Sequence, residues 1–324
     1  MKHRTFGTSG LRVARLALGT MLFGHGSGVD RAAAERILGR YGDAGGNLID
    51  TANAYGGGAS ETMLGELLGP DRDRFVLATK YTLSPGPTDA NASGNHRLSL
   101  VRSVEESLRR LRTDRIDLLW VHIWDPSTPV EETMRGLDDL VAAGKVLYIG
   151  LSDTPAWVVA RAATLAQWRG WSPPVAIQVP YSLAKRDVER ELLPMARDQG
   201  LSVLAWAPLA AGLLAGRLTR PQGEASTRLD RDRVSDTELE IAATVDRVAD
   251  DLGVSSGQVA LAWLLAQDRS IHPLVGPRTA AHLDDAIGAL ELTLPEDALA
   301  RLDAVSRIEL GFPSDFAFDV SELD

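Results

Sequence analysis

The chain has no cysteine among its 324 residues, which excludes a disulfide framework, a thiolate metal site and a cysteine nucleophile. It also has no excess of basic charge, because 34 Lys and Arg stand against 44 Asp and Glu, giving a formal net charge of −10. An acidic chain is a poor partner for a nucleic-acid backbone or an anionic membrane surface. These absences predict a globular protein of a reducing compartment, and we expect a cytoplasmic location and no nucleic-acid partner.

Long hydrophobic runs are absent as well. No stretch approaches the about 18 to 20 apolar residues of a membrane-spanning helix, and the segment MKHRTFGTSGLR lacks the apolar region of a signal peptide. We therefore expect neither export nor membrane association. Glycine-rich nucleotide motifs are missing too, since neither a GxGxxG nor a Walker A sequence occurs.

The chain instead shows a regular alternation of short apolar runs with longer segments of helical period. Apolar strands separated by helices indicate parallel pairing with the helices outside. Eight such units predict an α/β fold, a (β/α)8 TIM barrel that forms a single domain over residues 1–324. Periodicity leaves an open doubly wound sheet as the alternative. The predicted strands are 15–18, 47–50, 75–80, 117–122, 147–150, 176–179, 202–206 and 271–275.

Three segments lie outside this alternation. The first dozen residues, with a turn at 8–10, predict an N-terminal β-hairpin at the bottom of the barrel. About thirty residues between Trp206 and Asp236 exceed an ordinary loop and predict a flap over a cofactor or substrate. The C-terminal tail, with Phe312 and Phe316, is expected to fold over the barrel mouth.

Ionisable residues stand at the ends of three neighbouring predicted strands. The second strand ends at Asp50 and is followed by Tyr55, the third ends at Lys80, and the fourth ends at His122. Each has an ordinary structural explanation: a loop cap, a rim aromatic, a lysine reaching solvent or a core histidine. Together they favour an active site, because catalytic residues of such barrels lie at the carboxyl ends of strands and buried charges are costly.

These four groups fit acid catalysis on a carbonyl. A nearby cation stabilises a phenolate, and a carboxylate keeps that cation charged when water is excluded. Tyr55 would donate a proton with the support of Lys80 and Asp50, and His122 would orient the substrate oxygen. The reaction also needs an electron source, which in a chain without a Rossmann fingerprint would be a nicotinamide cofactor bound by another route.

Several motifs in a fixed order resemble the aldo-keto reductases along nearly the whole chain. They are 18–21 (LGTM), 49–56 (IDTANAYG), 79–80 (TK), 117–122 (DLLWVH), 144–146 (GKV), 149–153 (IGLSD), 178–182 (QVPYS) and 206–209 (WAPL). The fragments 94–97 (GNHR) and 109–114 (RRLRTD) resemble a bacterial branch of that family. The resemblance implies a barrel that binds NAD(P)H across its mouth, with a tetrad formed by Asp50, Tyr55, Lys80 and His122.

The resemblance also implies the cofactor contacts. Ser152 and Gln178 match the residues that hold the carboxamide, and Trp206 matches the aromatic that stacks on the nicotinamide ring. Arg278 matches the residue at the 2′-phosphate and favours NADPH over NADH, since a guanidinium binds such a group in bidentate fashion; a solvated helix-start residue is the alternative. The other expected contacts are Gly19, Thr20, Met21, Asp50, Asp153, Ala207, Pro208, Leu209, Gly212, Arg217, Gly276, His282 and Asp285.

Three positions depart from the family pattern. Asp153 and Ala286 each stand where an asparagine is usual, and His282 replaces a glutamine or arginine at the adenine end. A carboxylate accepts hydrogen bonds but cannot donate them, and Ala286 offers no hydrogen bond at all. These changes affect cofactor affinity, leave the tetrad intact and keep NADH as the alternative cofactor.

The expected function is NADPH-dependent reduction of an aldehyde or ketone to the alcohol. One alternative is a cofactor-binding sensing or regulatory subunit of the same fold, and another is a Schiff-base lyase with Lys80 as nucleophile. Phe23, Tyr81 and Trp124 are expected to line the substrate pocket together with Met21, which favours a partly apolar carbonyl compound. The sequence fixes neither the physiological substrate nor the oligomeric state.

Overall fold

In a computed structural model, the residues that the structure describes are 1–24, 26, 28–84, 89–220 and 230–316. Eight parallel strands close into a barrel, in which the last strand pairs with both the first and the seventh. The open-sheet alternative is therefore wrong, and the (β/α)8 barrel is confirmed. The strands are β1 (His3–Thr5) and β2 (Arg12–Ala14) of a hairpin, and β3 (Ala17–Gly19), β4 (Leu48–Asp50), β5 (Val76–Tyr81), β6 (Ile116–Val121), β7 (Val146–Ser152), β8 (Pro174–Pro180), β9 (Ser202–Trp206) and β10 (Ile271–Val275) of the barrel.

Helices surround the barrel as the alternation predicts. Serine caps begin two of them, and at Ser235 the side chains of Ser235 and Glu238 form a reciprocal capping box that satisfies the first helical N–H groups. No helix in the described ranges is both long and apolar enough to cross a bilayer. The helices are α1 (Arg31–Asp43), α2 (Ala59–Leu68), α3 (Arg97–Leu111), α4 (Val130–Ala142), α5 (Ala156–Arg169), α6 (Leu192–Asp198), α7 (Asp236–Leu252), α8 (Ser256–Gln267), α9 (Ala280–Gly288) and α10 (Glu296–Ser306), with 3-10 turns at Tyr55–Gly58, Gly69–Arg74, Asp187–Glu189, Ala210–Ala215 and Arg231–Arg233.

The predicted hairpin is present and covers the amino-terminal end of the barrel. Phe6 is fully buried there with the residues of the barrel interior. The backbone N–H of Gly7 donates to the hydroxyl of Ser202, the first residue of β9, at 2.8 Å. Gly7 has φ of +58°, and a Cβ at this position would lie 1.9 Å from the carbonyl oxygen of Val175. The close approach therefore requires glycine.

One tryptophan fills much of the barrel interior. Trp120 on β6 is fully buried and lies in register with Lys80 on β5 and Gly150 on β7. A Cβ at Gly150 would lie 2.3 Å from a carbon of the Trp120 ring, so the missing side chain provides the room for the indole. Trp120 thus forms the floor on which the side chains at the strand ends rest.

Two predicted segments, the C-terminal tail and the long connection after β9, lie partly outside the described residues. Phe312 is 87% exposed and Phe316 is 63% exposed, and their rings contact each other at 6.4 Å. The expected cover of the barrel mouth by the tail stays a prediction. Residues 317–324 of the tail and residues 221–229 of the long connection between β9 and α7 lie outside the described residues.

Candidate active site

A buried ion pair occupies the carboxyl ends of β4 and β5. Lys80 and Asp50 are each about 1% exposed and their charged groups are in direct contact. Lys80 also donates to the carbonyl oxygen of Thr51 at 2.8 Å. Burial opposes the charged form of Lys80, but Asp50 and Tyr55 outweigh it and raise the pKa of Lys80. Burial raises the pKa of Asp50, and Lys80 opposes that change. Lys80 is therefore held as a cation.

Tyr55 lies above this pair in a 3-10 turn that follows β4. The Lys80 ammonium nitrogen is 4.8 Å from the centroid of the Tyr55 ring. The next three residues are glycines with positive φ, and a Cβ on Gly58 would meet the Arg110 side chain at 2.9 Å. The left-handed glycine run lets the chain turn into α2 while the phenol stays at the mouth.

His122 completes the predicted tetrad from the residue after β6. Its ring meets the Tyr55 ring edge-on, with centroids 6.0 Å apart. Burial, helped by the nearby Lys80, lowers the pKa of His122 to about 3, so the imidazole is neutral over the physiological range. Its Nδ1 atom is buried without a hydrogen-bond partner in the described part of the chain. The structure thus brings all four predicted groups together at one mouth.

A cluster of hydroxyls holds the end of β4 in place. Thr20, which is fully buried, donates through its hydroxyl to the carbonyl oxygen of Asp50 at 3.0 Å. The Ser60 hydroxyl lies 2.9 Å from that of Thr51 and donates to the carbonyl oxygen of Thr20 at 2.8 Å. The contact of Thr20 with a cofactor stays a prediction, and the structure shows that its hydroxyl also fixes the strand ends. Its neighbour Met21 is 41% exposed at the rim.

The expected carboxamide-binding residues stand at the ends of β7 and β8. Ser152 and Gln178 are 1% and 2% exposed. The Gln178 amide nitrogen donates to the second carboxylate oxygen of Asp50 at 3.0 Å. Gln178 therefore joins the tetrad to the predicted cofactor side, a link between distant residues that the sequence gives no means of finding.

Trp206, at the end of β9, is held by Asp153. The indole N–H donates to a carboxylate oxygen of Asp153 at 3.1 Å. Asp153 has φ of +41°, a left-handed conformation that Asp and Asn tolerate better than most residues. Burial raises the pKa of Asp153, and the hydrogen bond from Trp206 opposes this. The half-buried indole face is thus fixed at the barrel mouth.

The turn after β9 has an unusual backbone. Ala207, Ala210 and Ala211 have φ of 50°, 46° and 57°, and Gly212 follows with φ of 102°. Such runs of left-handed residues cost free energy and occur where function requires them; they can also turn backbone N–H groups towards an anion. The Arg217 side chain packs on Gly212. A Cβ at Gly212 would lie 2.6 Å from the Cδ of Arg217. Pro208 and Leu209 lie within the same turn.

Two arginines beside the mouth have no partner among the described residues. Arg217 follows the turn after β9, and Arg278 follows Gly276 in the loop between β10 and α9. Across the described residues neither side chain forms an ion pair or hydrogen bond, although many other arginines of this acidic chain do. At the start of α9, His282 is exposed and donates its backbone N–H to the Thr279 cap. Unpaired cations suit an anionic ligand.

Asp285 and Ala286 are neighbours on α9, but Asp285 forms a hydrogen bond and Ala286 lies in the hydrophobic core. The Asp285 carboxylate accepts from the hydroxyl of Ser255 at 2.9 Å, which ties α9 to the start of α8. Ala286 is 6% exposed and packs in the core.

Gly19, at the end of β3, packs closely on β10. A Cβ at this position would meet atoms of Leu274 and Val275 at 3.3 to 3.4 Å.

Two of the three expected substrate-pocket residues belong to the hydrophobic core. Phe23 is 1% exposed in the core between β3 and α1, and Tyr81 is 1% exposed in the core outside β5. Tyr81 points away from the barrel interior because it follows Lys80 and side chains alternate along a strand. Trp124 is half-buried at the rim, with its ring edge-on to Trp157 at 5.9 Å. Trp157 is 57% exposed and was not predicted.

A second buried ion pair supports the Tyr55 turn from behind. Glu61 is fully buried on α2, accepts from the Thr79 hydroxyl at 2.5 Å and accepts from Arg110 of α3 at 2.7 Å. Thr79 precedes Lys80, so this contact joins the outer face of β5 to the start of α2. The sequence gives no sign of this role, because Glu61 and Arg110 are 49 residues apart along the chain.

Comparison with known proteins shows the family. A model of the Aldo/keto reductase family matches residues 15–307, and the chain belongs to this family. A norsolorinic acid reductase of Aspergillus flavus is 39% identical over 338 residues, which cover 98% of this chain and 84% of that protein. A norsolorinic acid reductase of Emericella nidulans is 40% identical over 323 residues, covering 96% and 83%. An aryl-alcohol dehydrogenase [NADP(+)] of Phanerodontia chrysosporium is 35% identical over 337 residues, covering 96% and 88%.

The family and the oxidoreductase names of these relatives support the expected oxidoreductase activity. The relatives named here are all fungal, so they give no support to the expected likeness to a bacterial branch. Short fragments such as 94–97 are too small a basis for assigning a branch, whereas the motif order along the chain identifies the family.

Proposed function

We propose that this protein is an NADPH-dependent oxidoreductase that reduces an aldehyde or ketone to the alcohol. The buried Asp50–Lys80 pair beneath Tyr55, with neutral His122 beside it, is the observation that carries this proposal. A cation so close to a phenol stabilises the phenolate that forms when the proton leaves. Tyr55 is accordingly the proton donor to the carbonyl oxygen.

The neutral imidazole of His122 has a distinct role. A ring whose pKa is lowered to about 3 offers one N–H donor and no positive charge near pH 7. It orients the carbonyl oxygen by a hydrogen bond that strengthens as negative charge develops there. Because the protein leaves Nδ1 without a partner among the described residues, the ring is free to adopt the tautomer that the substrate requires.

The residues present fit nicotinamide adenine dinucleotide phosphate. Trp206 supplies a fixed aromatic face, Ser152 and Gln178 supply polar groups beside it, and Arg217 and Arg278 supply unpaired cations for phosphates. When bound, this cofactor supplies a hydride to the carbonyl carbon, and Tyr55 supplies the proton to the carbonyl oxygen. The name aryl-alcohol dehydrogenase [NADP(+)] of one relative supports NADPH over NADH.

The rim favours an aromatic substrate. Trp124 and Trp157 present an indole pair at the mouth, and Trp157 is 57% exposed. Aromatic rings stack well on such faces, and a relative named as an aryl-alcohol dehydrogenase acts on compounds of this kind. We therefore propose an aryl aldehyde or aryl ketone as the substrate class.

The lyase alternative is weakened by the state of Lys80. A Schiff base needs an uncharged amine as nucleophile, whereas Asp50 holds Lys80 as a cation and its pKa is raised. For the sensing alternative, no described contact favours a regulatory role over turnover.

The test is a panel of aryl aldehydes, aryl ketones, quinones and keto-sugars incubated with the protein and NADPH. Loss of the reduced-nicotinamide absorbance with formation of the alcohol is the expected result. Binding of NADPH without turnover of any member would favour the sensing subunit. Borohydride trapping of a substrate on Lys80, with no loss of that absorbance, would favour the lyase and contradict the proposal.

A further inference from the structure

Asp153 is the carboxylate that the tetrad does not use. It follows β7 directly, its backbone N–H donates to the carbonyl oxygen of Gln178 at 3.1 Å, and its carbonyl oxygen accepts from the N–H of Trp124 at 3.3 Å. Its side chain accepts from the indole N–H of Trp206. Both the backbone and the side chain of Asp153 are therefore fixed, and the carboxylate stands at the edge of the Trp206 ring.

The charges of the tetrad balance until Asp153 is counted with them. Asp50 and Lys80 neutralise each other in direct contact. His122 is neutral, because burial lowers its pKa to about 3. Lys80 is the charged group that acts on Asp153, but it is already paired. When ionised, Asp153 therefore leaves this group of side chains with one negative charge in excess.

We propose that Asp153 makes the site bind the oxidised nicotinamide cofactor more tightly than the reduced one. The inference rests on the proposed function, since it requires a nicotinamide ring against Trp206. The two forms carry the same phosphates and differ by one positive charge on the ring. A carboxylate fixed at the N–H edge of the stacking indole attracts the cationic ring and leaves the neutral ring nearly unaffected, and exclusion of water strengthens this difference.

The matched variant is Asp153→Asn, which removes the charge alone. Asparagine tolerates the left-handed φ of +41°, and its amide oxygen can still accept from the Trp206 indole. Isothermal titration calorimetry at pH 8, where a carboxylate is ionised, gives the Kd of NADP⁺ and of NADPH for each variant. We expect NADP⁺ affinity to fall by about three- to tenfold while NADPH affinity is unchanged or rises.

Two further variants make the result decisive. Glu35→Gln on the exposed face of α1 makes the same change in net charge at a residue outside the candidate site, and it should leave both dissociation constants unchanged. Asp153→Gly also suits the positive φ and removes both charge and acceptor, so it should lower the NADP⁺ preference at least as much as Asp153→Asn. Circular dichroism checks that each variant is folded.

The outcomes separate the inference from the proposed function. If the wild-type protein binds both forms but Asp153→Asn weakens both equally, or neither, Asp153 is structural and the inference is overturned while the proposed function stands. If the wild-type protein binds neither form, the proposed function fails and the inference fails with it. A selective loss of NADP⁺ affinity supports both.

Discussion

The Lys80 ammonium lies 4.8 Å from the centroid of the Tyr55 ring, while the same ammonium is in contact with the Asp50 carboxylate. One cation therefore serves two partners, a buried anion that holds it and a phenol that it activates in the proposed mechanism. The arrangement joins stability to catalysis, because Lys80 cannot be removed without leaving Asp50 unpaired in a fully buried position. Buried ion pairs broken on one side are strongly destabilising.

Lys80→Met should accordingly reduce both stability and turnover. We expect the free energy of unfolding to fall by about 3 to 5 kcal/mol, and carbonyl reduction to fall by about 100-fold or more. Adding Asp50→Asn removes the orphaned charge, so the double variant should regain stability without regaining activity. Chemical denaturation and NADPH consumption measure the two quantities. A double variant as unstable as Lys80→Met would show that the unpaired charge of Asp50 is not the cause of the lost stability.

The buried His272 predicts a loss of stability in acid. It is fully buried on β10, its Nδ1 lies 3.0 Å from the carbonyl oxygen of Ala14, and burial lowers its pKa to about 4. Below the unfolded-state pKa of about 6.5, the unfolded chain binds a proton that the folded chain does not. The contribution of His272 to the free energy of unfolding should therefore be complete above pH 6.5 and fall by about 3 kcal/mol as the pH drops to about 4.

His272→Asn keeps a hydrogen-bond donor for the carbonyl oxygen of Ala14 and removes the titrating group. The free energy of unfolding of this variant should therefore depend less on pH between 6.5 and 4. His3→Asn, at an exposed position of β1, is the control and should keep the wild-type pH dependence. Urea denaturation over this pH range decides the matter. Parallel pH curves for wild type and His272→Asn would rule out His272 as a source of the acid sensitivity.

Gly150→Ala should disturb the floor of the site. The new methyl would lie 2.3 to 2.4 Å from two carbons of the Trp120 ring, and the fully buried Trp120 has little room to move. We expect a loss of about 1 to 3 kcal/mol in the free energy of unfolding. Gly39→Ala on α1 is the control, since a Cβ there meets nothing within 4 Å and alanine favours helix. Equal thermal midpoints for the two variants would contradict this packing.

Arg278→Met tests the proposed preference for NADPH. We expect NADPH affinity to fall by about tenfold or more, because a charged hydrogen-bonding partner of the 2′-phosphate is lost, and NADH affinity to stay the same. Arg36→Met removes an exposed arginine of α1 as the control and should change neither. Fluorescence titration gives the dissociation constants. Equal wild-type affinities for NADPH and NADH would remove the role given to Arg278.

Periodicity in the sequence predicted eight strands, all within two residues of their observed ends, but left an open sheet as the alternative to the closed barrel. The same reasoning located Asp50, Lys80 and His122, because the ends of parallel strands must converge at one mouth. By the alternation of side chains along β5, Tyr81 faces outward because Lys80 points inward, whereas the aromatic character of Tyr81 alone favoured the pocket.

Other features depend on contacts that no local pattern contains. Phe23 enters the core through the path of a loop, and Gln178 reaches Asp50 across the barrel. Glu61 and Arg110 meet because two helices pack side by side. Trp157 joins Trp124 at the rim for the same kind of reason. Such pairs are separated by tens of residues along the chain, and only the closed fold brings them together.

The central claim is that Tyr55 donates the proton in an NADPH-dependent reduction, and Tyr55→Phe tests it most directly. The variant keeps the ring over Lys80 and removes only the hydroxyl. With an aryl aldehyde as substrate, the account predicts that kcat falls by about 100-fold or more while the Kd of NADPH is unchanged. A Tyr55→Phe protein that reduces the aldehyde at the full wild-type rate would contradict it.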